Sequence, residues 1–276
     1  MNRLLKQYFL ICLLKGYPMQ YTFIYPSDYF DNKMVDESYS AEFNALKKSG
    51  FKTILYTDSN GKSLGIQGDI CIYRGWMLSE YEYSNLEDFV NASGAKMLTS
   101  KDEYFKAHYM PNWYDELADL TPDTFVVEKN KLSGIKEIAK NTGWNRFFVK
   151  DYVKSLTTKE GSIANSIDEV IDIASKIETF RTIEGGICLR KVHDFVESSE
   201  IRYFVLNGKV SSPQKLTIPK IAKDVASRIS LPFFSIDIIK DINNKEWLVE
   251  IGDGQVSSFK EPWDQQDIVN LFRSTS

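Results

Sequence analysis

Two carboxylates stand in strand-like runs that are otherwise apolar: Asp237 in FFSIDI (233–238) and Glu250 in WLVEIGD (247–253), either side of the polar turn DINNK (241–245). Strand side chains alternate between faces. Phe234, Ile236 and Ile238 therefore share one face and Asp237 takes the other, while Trp247, Val249 and Ile251 share a face and Glu250 lies opposite. A turn centred on Asn243-Asn244 puts Asp237 directly across from Glu250. Like charges so opposed destabilise a sheet, and a cation between them removes the penalty. Hard oxygen donors favour Mg²⁺, which takes one or two carboxylates together with substrate phosphates. The hairpin thus suggests a magnesium–nucleotide site. The alternative is a solvent-facing sheet with two unrelated acids, because a slip of one residue separates the pair.

Other strands of the second half carry isolated charges: Lys150 in RFFVKDYV (146–153), Arg190 in GICLRKVHDF (186–195), and Glu200 with Arg202, two apart and so on one face, in EIRYFVL (200–206). Charged side chains are seldom fully buried unless paired. Cations recognise phosphates, and acids hold the metals that bridge them, so this order points to a shared polar cleft. An exposed sheet face laced with salt bridges is the plainer alternative.

The elements that must position these residues follow from periodicity and punctuation. YTFIY (21–25), FKTILY (51–56) and DICIY (69–73) read as strands around a helix at 38–49 that Gly50 stops, a strand–helix–strand opening. Helices are expected at 84–94, in two short pieces across the aromatic-rich 101–120, and at 131–141, 217–230 and 264–272. A further helix at 166–180 opens on Ser166 and Glu169, spaced as a capping box. TFVVE (124–128) is a strand, 155–166 a polar mobile loop, and Asn207-Gly208 a hairpin turn. Tyr104, Phe105, Tyr109, Trp113 and Tyr114 form an aromatic band read as core packing between the two domains, with a peptide- or base-stacking surface as the alternative. Pro122 and the strand after it mark the domain boundary, giving 1–18 as an N-terminal extension, 19–125 as one domain and 126–276 as another.

The bulk properties exclude several classes. A net charge of −4 supplies no basic balance for nucleic acid. Cys12, Cys71 and Cys188 form no CxxC pair, so neither a disulfide framework nor a zinc site is indicated, and a reduced, cytoplasmic setting follows. The apolar run in MNRLLKQYFLICLLKGYP is too short to span a bilayer and lacks a signal-peptide cleavage site. It reads either as a surface amphipathic helix or as an over-extended start. His108 and His193 are too few for a histidine-rich metal site and read as structural, and Cys188 as a small buried apolar group.

The segments FFVKDYVKS (147–155), CLRKVHDF (188–195), EIRYFVLNGKV (200–210), FFSIDI and WLVEIGDGQVSSF (247–259) together resemble the ATP-grasp superfamily, in the branch named for two arginines and a lysine. YRGWM (73–77) and LTPDTFVV (120–127) resemble the domain that precedes it in such proteins. The resemblance implies an α+β ATP-grasp fold behind an N-terminal Rossmann-like α/β domain, with ATP and Mg²⁺ as ligands. By the same resemblance Lys150 contacts the α- and β-phosphates, Lys154 a phosphate or the substrate, and Arg190, Lys191, Val192 and Asp194 line the adenine and ribose pocket. Arg202 stabilises the transferred phosphoryl group, Arg190 is the second arginine, and Asp237 and Glu250 hold the metal. A third ligand falls to Asp253, because Glu250 is followed by Ile-Gly-Asp, and the loop LTTKEGSIAN (156–165) has a single glycine.

The implied function is a carboxylate–amine ligase working through an acyl-phosphate, with small-molecule or peptide carboxylate and amine substrates, no nucleic acid and no membrane; a homodimer stays open. No nucleophile is needed, in keeping with the lack of a serine, cysteine or histidine constellation. A phosphotransferase and a non-catalytic nucleotide-binding module are the alternatives. A nucleic-acid ligase would need K-x-D-G, which VKDYVKS does not supply.

Overall fold

The computed structural model describes residues 21–56, 65–153, 155, 161–180 and 183–273. Along the chain these form β1 (Tyr21–Pro26), α1 (Ser40–Lys48), β2 (Lys52–Tyr56), β3 (Ile70–Tyr73), α2 (Glu80–Ala92), β4 (Lys96–Met97), α3 (Lys101–His108) and α4 (Pro111–Leu117). Then come β5 (Thr124–Glu128), α5 (Ile135–Asn141), β6 (Phe147–Asp151), β7 (Ile163–Ala164), α6 (Ile167–Phe180) and β8 (Gly186–Lys191). β9 (Phe195–Leu206), β10 (Lys209–Ser211), α7 (Lys220–Arg228), β11 (Phe233–Asp241), β12 (Glu246–Asp253) and α8 (Gln265–Arg273) complete the order. Two compact units result. Of the described residues, the first takes those up to Phe105, Arg202–Ile236 and those from Gly252; the second takes those within Lys106–Ile201 and Asp237–Ile251.

The first unit is built on a parallel sheet of order β2-β1-β3-β4. Its central strand β1 is buried from Tyr21 to Tyr25, as a strand covered on both faces must be. Alternation sends Tyr21, Phe23 and Tyr25 into a cluster with Leu46 of α1 and Ile268, Leu271 and Phe272 of α8. Ile24 faces Leu86 and Val90 of α2 on the other side. Phe23 meets Phe272 edge-on with ring centroids 4.7 Å apart, a contact worth about 0.5–1.5 kcal/mol beyond the area it buries. Helix α2 begins four residues before the expected start. Ser79 and Glu82 form a capping box, the Ser79 hydroxyl accepting from the Glu82 amide and the Glu82 carboxylate from the Ser79 amide. This satisfies two otherwise unpaired helix-start amides and nucleates the helix ahead of its apolar stripe.

The second unit contains an antiparallel sheet of order β5-β8-β6-β7. Val127, Phe147, Val149, Ile187 and Leu189 share a cluster with Ile135 and Ala139 of α5 and Val170, Ile173 and Ile177 of α6, so both helices cover one face. The expected box at the start of α6 is present on one side, Ser166 Oγ accepting from the Glu169 amide at 3.2 Å. Alternation turns Lys150, Cys188 and Arg190 to the other face, where Lys150 pairs across the ladder with Cys188 and Phe148 with Arg190.

A third sheet has the order β10-β9-β11-β12. The hairpin between β9 and β10 turns at Asn207 and Gly208, both at positive φ (51° and 80°), the combination that a two-residue loop of the primed kind needs. The turn joining β11 to β12 differs from a turn centred on Asn243-Asn244. The Asn244 amide donates to the Asp241 carbonyl, the Asp241 amide to Lys245, and Asn244 takes the left-handed conformation at φ 64°. Asp241 therefore stands opposite Lys245, one residue off the plain two-residue register. The Asp241 carboxylate sets this by accepting from the amides of Asn243 and Lys245, a side-chain turn that competes with the simple loop. Farther along β12, Leu248 and Ile251 are both buried although three apart, so alternation breaks at Val249-Glu250.

Candidate active site

Lys150 lies on β6 with 4% of its surface exposed, and its Nζ is 2.5 Å from Glu250 Oε1. A buried ammonium needs such a partner. Glu250 keeps 38% of its side chain open, so the pair has one end in protein and one in water. Arg190, on the neighbouring β8, is 6% exposed. Its Nη1 donates to the Val249 carbonyl at 2.8 Å and its Nη2 to Thr121 Oγ1 at 2.7 Å. The Thr121 hydroxyl in turn donates to the Leu248 carbonyl, and the Leu248 amide donates to Leu120. Arg190 thus clamps the segment of β12 that bears Glu250 at the point where alternation breaks. Burial lowers its proton affinity, with the Glu250 charge opposing that loss. Its Nε is buried with no hydrogen-bond partner among the described residues.

Cys188, between them on the same face, has its thiol pushed up to about 12 by burial, against the pull of Lys150 and Arg190. It is a neutral packing group rather than a nucleophile. Asp237 is 5% exposed on β11, between Ile236 and Ile238, in the same unit as Glu250. Among the described residues no group of three or more histidines, cysteines and acids could hold a metal by itself. Two carboxylates do suit Mg²⁺ that arrives with phosphate oxygens to complete its shell, and the donors here are of that hard-oxygen type.

The strand end after Arg190 leads to Lys191, exposed with Nζ 3.8 Å from Asp123, then Val192, and Asp194, which pairs with Arg146 at 3.1 Å. His193 packs against the Trp247 ring at 4.3 Å and Phe195 at 5.8 Å. Burial lowers its pKa, keeping the imidazole neutral near pH 7. Lys245 sits 3.4 Å over the Trp247 ring, whose Nε1 donates to Asp241. Lys154, residues 156–160 of the 155–166 loop, and the 1–18 extension lie outside the described residues.

Two predicted residues belong to the first unit. Arg202 donates to the Ser258 carbonyl at 3.1 Å, and its own carbonyl accepts from Trp263 Nε1. Asp253 is 1% exposed; Oδ1 accepts from the amide and Nε2 of Gln255, while Oδ2 is buried with no partner among the described residues. Burial raises its pKa to about 7.

The residue that organises this loop is Arg74. It is 1% exposed, makes a two-point contact with Glu42 at 2.7 and 3.0 Å, and donates from Nη1 to the carbonyls of Gly254, Gln255 and Ser257. Gln255 completes the hold by accepting from the Tyr73 amide and donating to the Tyr83 hydroxyl. The charge closing the apolar strand in DICIYRG is the sequence signal for Arg74, of the same kind as those for Lys150 and Arg190.

Residues 141–271 match the ATP-grasp domain described as family 3 of the clade named for two arginines and a lysine. No curated protein matches the chain in sequence. Among solved structures, D-cycloserine synthetase aligns over 92% of this chain and 98% of its own, at 13% identity and a TM-score of 0.64. A RimK-domain ATP-grasp protein from Sphaerobacter thermophilus covers 93% and 98% at 11% identity and TM-score 0.62. A macrocyclase from Microcystis aeruginosa, bound with its precursor peptide, covers 92% and 99% at 14% identity and TM-score 0.57. The fold is that of the ATP-grasp proteins, and the chain carries, over residues 141–271, an ATP-grasp domain of the two-arginine, one-lysine clade.

Proposed function

We propose that the protein is an ATP-dependent carboxylate–amine ligase acting through an acyl-phosphate, with 126–276 as its catalytic domain and 19–125 as the domain preceding it. The observation that carries this reading is the contact between the buried Lys150 ammonium and the half-open Glu250 carboxylate on a face backed by Arg190. In the free protein Glu250 balances Lys150. When phosphates enter, the ammonium is already desolvated and aimed, so its attraction for them exceeds that of a solvated lysine. Arg190 acts by holding the Glu250 strand, and Lys191, Val192 and Asp194 contribute to the nucleotide pocket, with Lys154 on a phosphate or the substrate. Asp237 and Glu250 would hold Mg²⁺, with Asp253 as a third acid, and Arg202 would meet the transferred phosphoryl group. Bound Mg²⁺ would neutralise charge on the phosphates.

A substrate carboxylate oxygen attacks the γ-phosphorus and ADP leaves; an amine nitrogen then attacks the acyl carbon and phosphate leaves. The chemistry is positioning and charge balance. The structural neighbours include ligases of small molecules and of peptides, which supports an amide-forming reaction without naming its substrates.

Titration calorimetry with ATP, with Mg²⁺ and with EDTA, tests the site, and mass spectrometry of products separates a new amide from a phosphorylated acceptor. Lys150→Ala and Glu250→Gln variants that bind and hydrolyse Mg-ATP as the wild type does would end the proposal.

A further inference from the structure

Four exposed large apolar residues of the first unit gather on two loops at one edge of its parallel sheet. Tyr29 and Phe30 are each 93% exposed, with rings edge-on at 5.1 Å, and Met34 and Trp76 are more than half exposed. Their exposure is imposed by an ordered backbone. Asp28 Oδ1 accepts from the amides of Phe30 and Asp31, the Asp28 amide donates to the Met34 carbonyl, and Ser27 pairs with Val35. Trp76 ties the second loop to the first, its Nε1 donating to Asp36 at 3.0 Å and its ring meeting Tyr39 at 5.3 Å. Apolar groups held in water in this way mark an interaction site.

The topology places them where such a site belongs. In the order β2-β1-β3-β4 the chain leaves β1 for one side and resumes at β3 on the other, so direction reverses between β1 and β3. Open parallel sheets take ligands outside the carboxyl ends of their strands at this switch point. The loops leaving those two ends are 27–36 and 74–79, the ones that carry Tyr29, Phe30, Met34 and Trp76. The charge of the first loop, with Glu37 just beyond it, selects the partner. Asp28, Asp31, Asp36 and Glu37 stand against the single Lys33, and among the described residues none of these four carboxylates has an ion-pair partner.

We infer that this edge docks a basic, apolar peptide segment, the aromatic rings taking its apolar side chains and the acids its lysines or arginines. The inference goes beyond the ligase reading and does not depend on the nucleotide site.

Fluorescence anisotropy of the full chain with a labelled Lys-Phe-Lys-Leu-Lys-Phe-Lys probe, without nucleotide, tests it. Saturable binding is expected, weakened at least about tenfold by Tyr29→Ser/Phe30→Ser, by Asp31→Asn/Glu37→Gln, and by about 0.5 M salt, which screens exposed charges. A probe with glutamates for the lysines should not bind. Equal binding of the basic probe by wild type and both variants would overturn the inference. So would a concentration-dependent dimer in sedimentation velocity that Tyr29→Ser/Phe30→Ser abolishes, since a second copy would then be the occupant. Circular dichroism checks that the variants fold. Loss of Mg-ATP binding in the wild type would sink the ligase reading and leave this one standing.

Discussion

Lys150→Met separates a nucleotide-binding lysine from a structural one, because the two roles predict opposite readouts. The methionine keeps the aliphatic stem that fills the buried face of β6 and removes only the ammonium. In the free protein the cost is small. Glu250 is 38% open, so it rehydrates when its partner goes, and half-exposed pairs contribute at most about 1 kcal/mol. For a chain of this size that is a melting shift of about 2–4 °C. Binding of Mg-ATP, in contrast, loses a charge-assisted contact of about 1.5–3 kcal/mol, or roughly 10- to 150-fold in Kd. Calorimetry with Mg-ADP and a non-hydrolysable ATP analogue, beside thermal unfolding of the same samples, reads both quantities. A Kd within twofold of wild type together with a large drop in melting temperature would refute the reasoning and assign Lys150 to the fold alone.

Three further outcomes follow from buried groups. Arg74→Met should cost about 3–5 kcal/mol in urea unfolding because it strands Glu42 and three carbonyls, and adding Glu42→Leu should recover part of that loss; additive losses would contradict the pairing. Asp253, raised from an ordinary value near 3.8 to about 7, stabilises the fold in full only while protonated. Stability should therefore fall by about 2–4 kcal/mol as pH rises from 4 through 7, and Asp253→Asn should flatten that slope in denaturant midpoints taken across the range. Cys71 and Cys188, both buried with thiols pushed up to about 12, should resist a thiol reagent at pH 8 until the protein is unfolded; rapid native labelling of either, mapped by mass spectrometry, would show that its surroundings open.

Much of the local structure was legible in the chain because its causes are local. TFVVE forms β5 over the very residues 124–128, and Asn207-Gly208 turns the β9–β10 hairpin because both residues accept positive φ. Ser166 and Glu169 begin α6 for the same reason of short-range hydrogen bonding. Where reading failed, a side chain redirected the backbone. Ser79 and Glu82 started α2 early, and the Asp241 carboxylate shifted the β11–β12 turn by one residue. The charged strand residues were visible as candidates, since an ionised group in an apolar run must find a partner. Residue type marked Lys150 and Arg190 as candidates; the β6–β8 pairing and its register, set by the tertiary fold, put them on one face of one sheet. Which partner each takes was decided only by tertiary structure: Glu250 lies a hundred positions beyond Lys150, and the carbonyls that hold Arg74 lie some 180 positions beyond it. Local spacing carries no information about such contacts, because they depend on strands that meet only after the chain has folded back on itself.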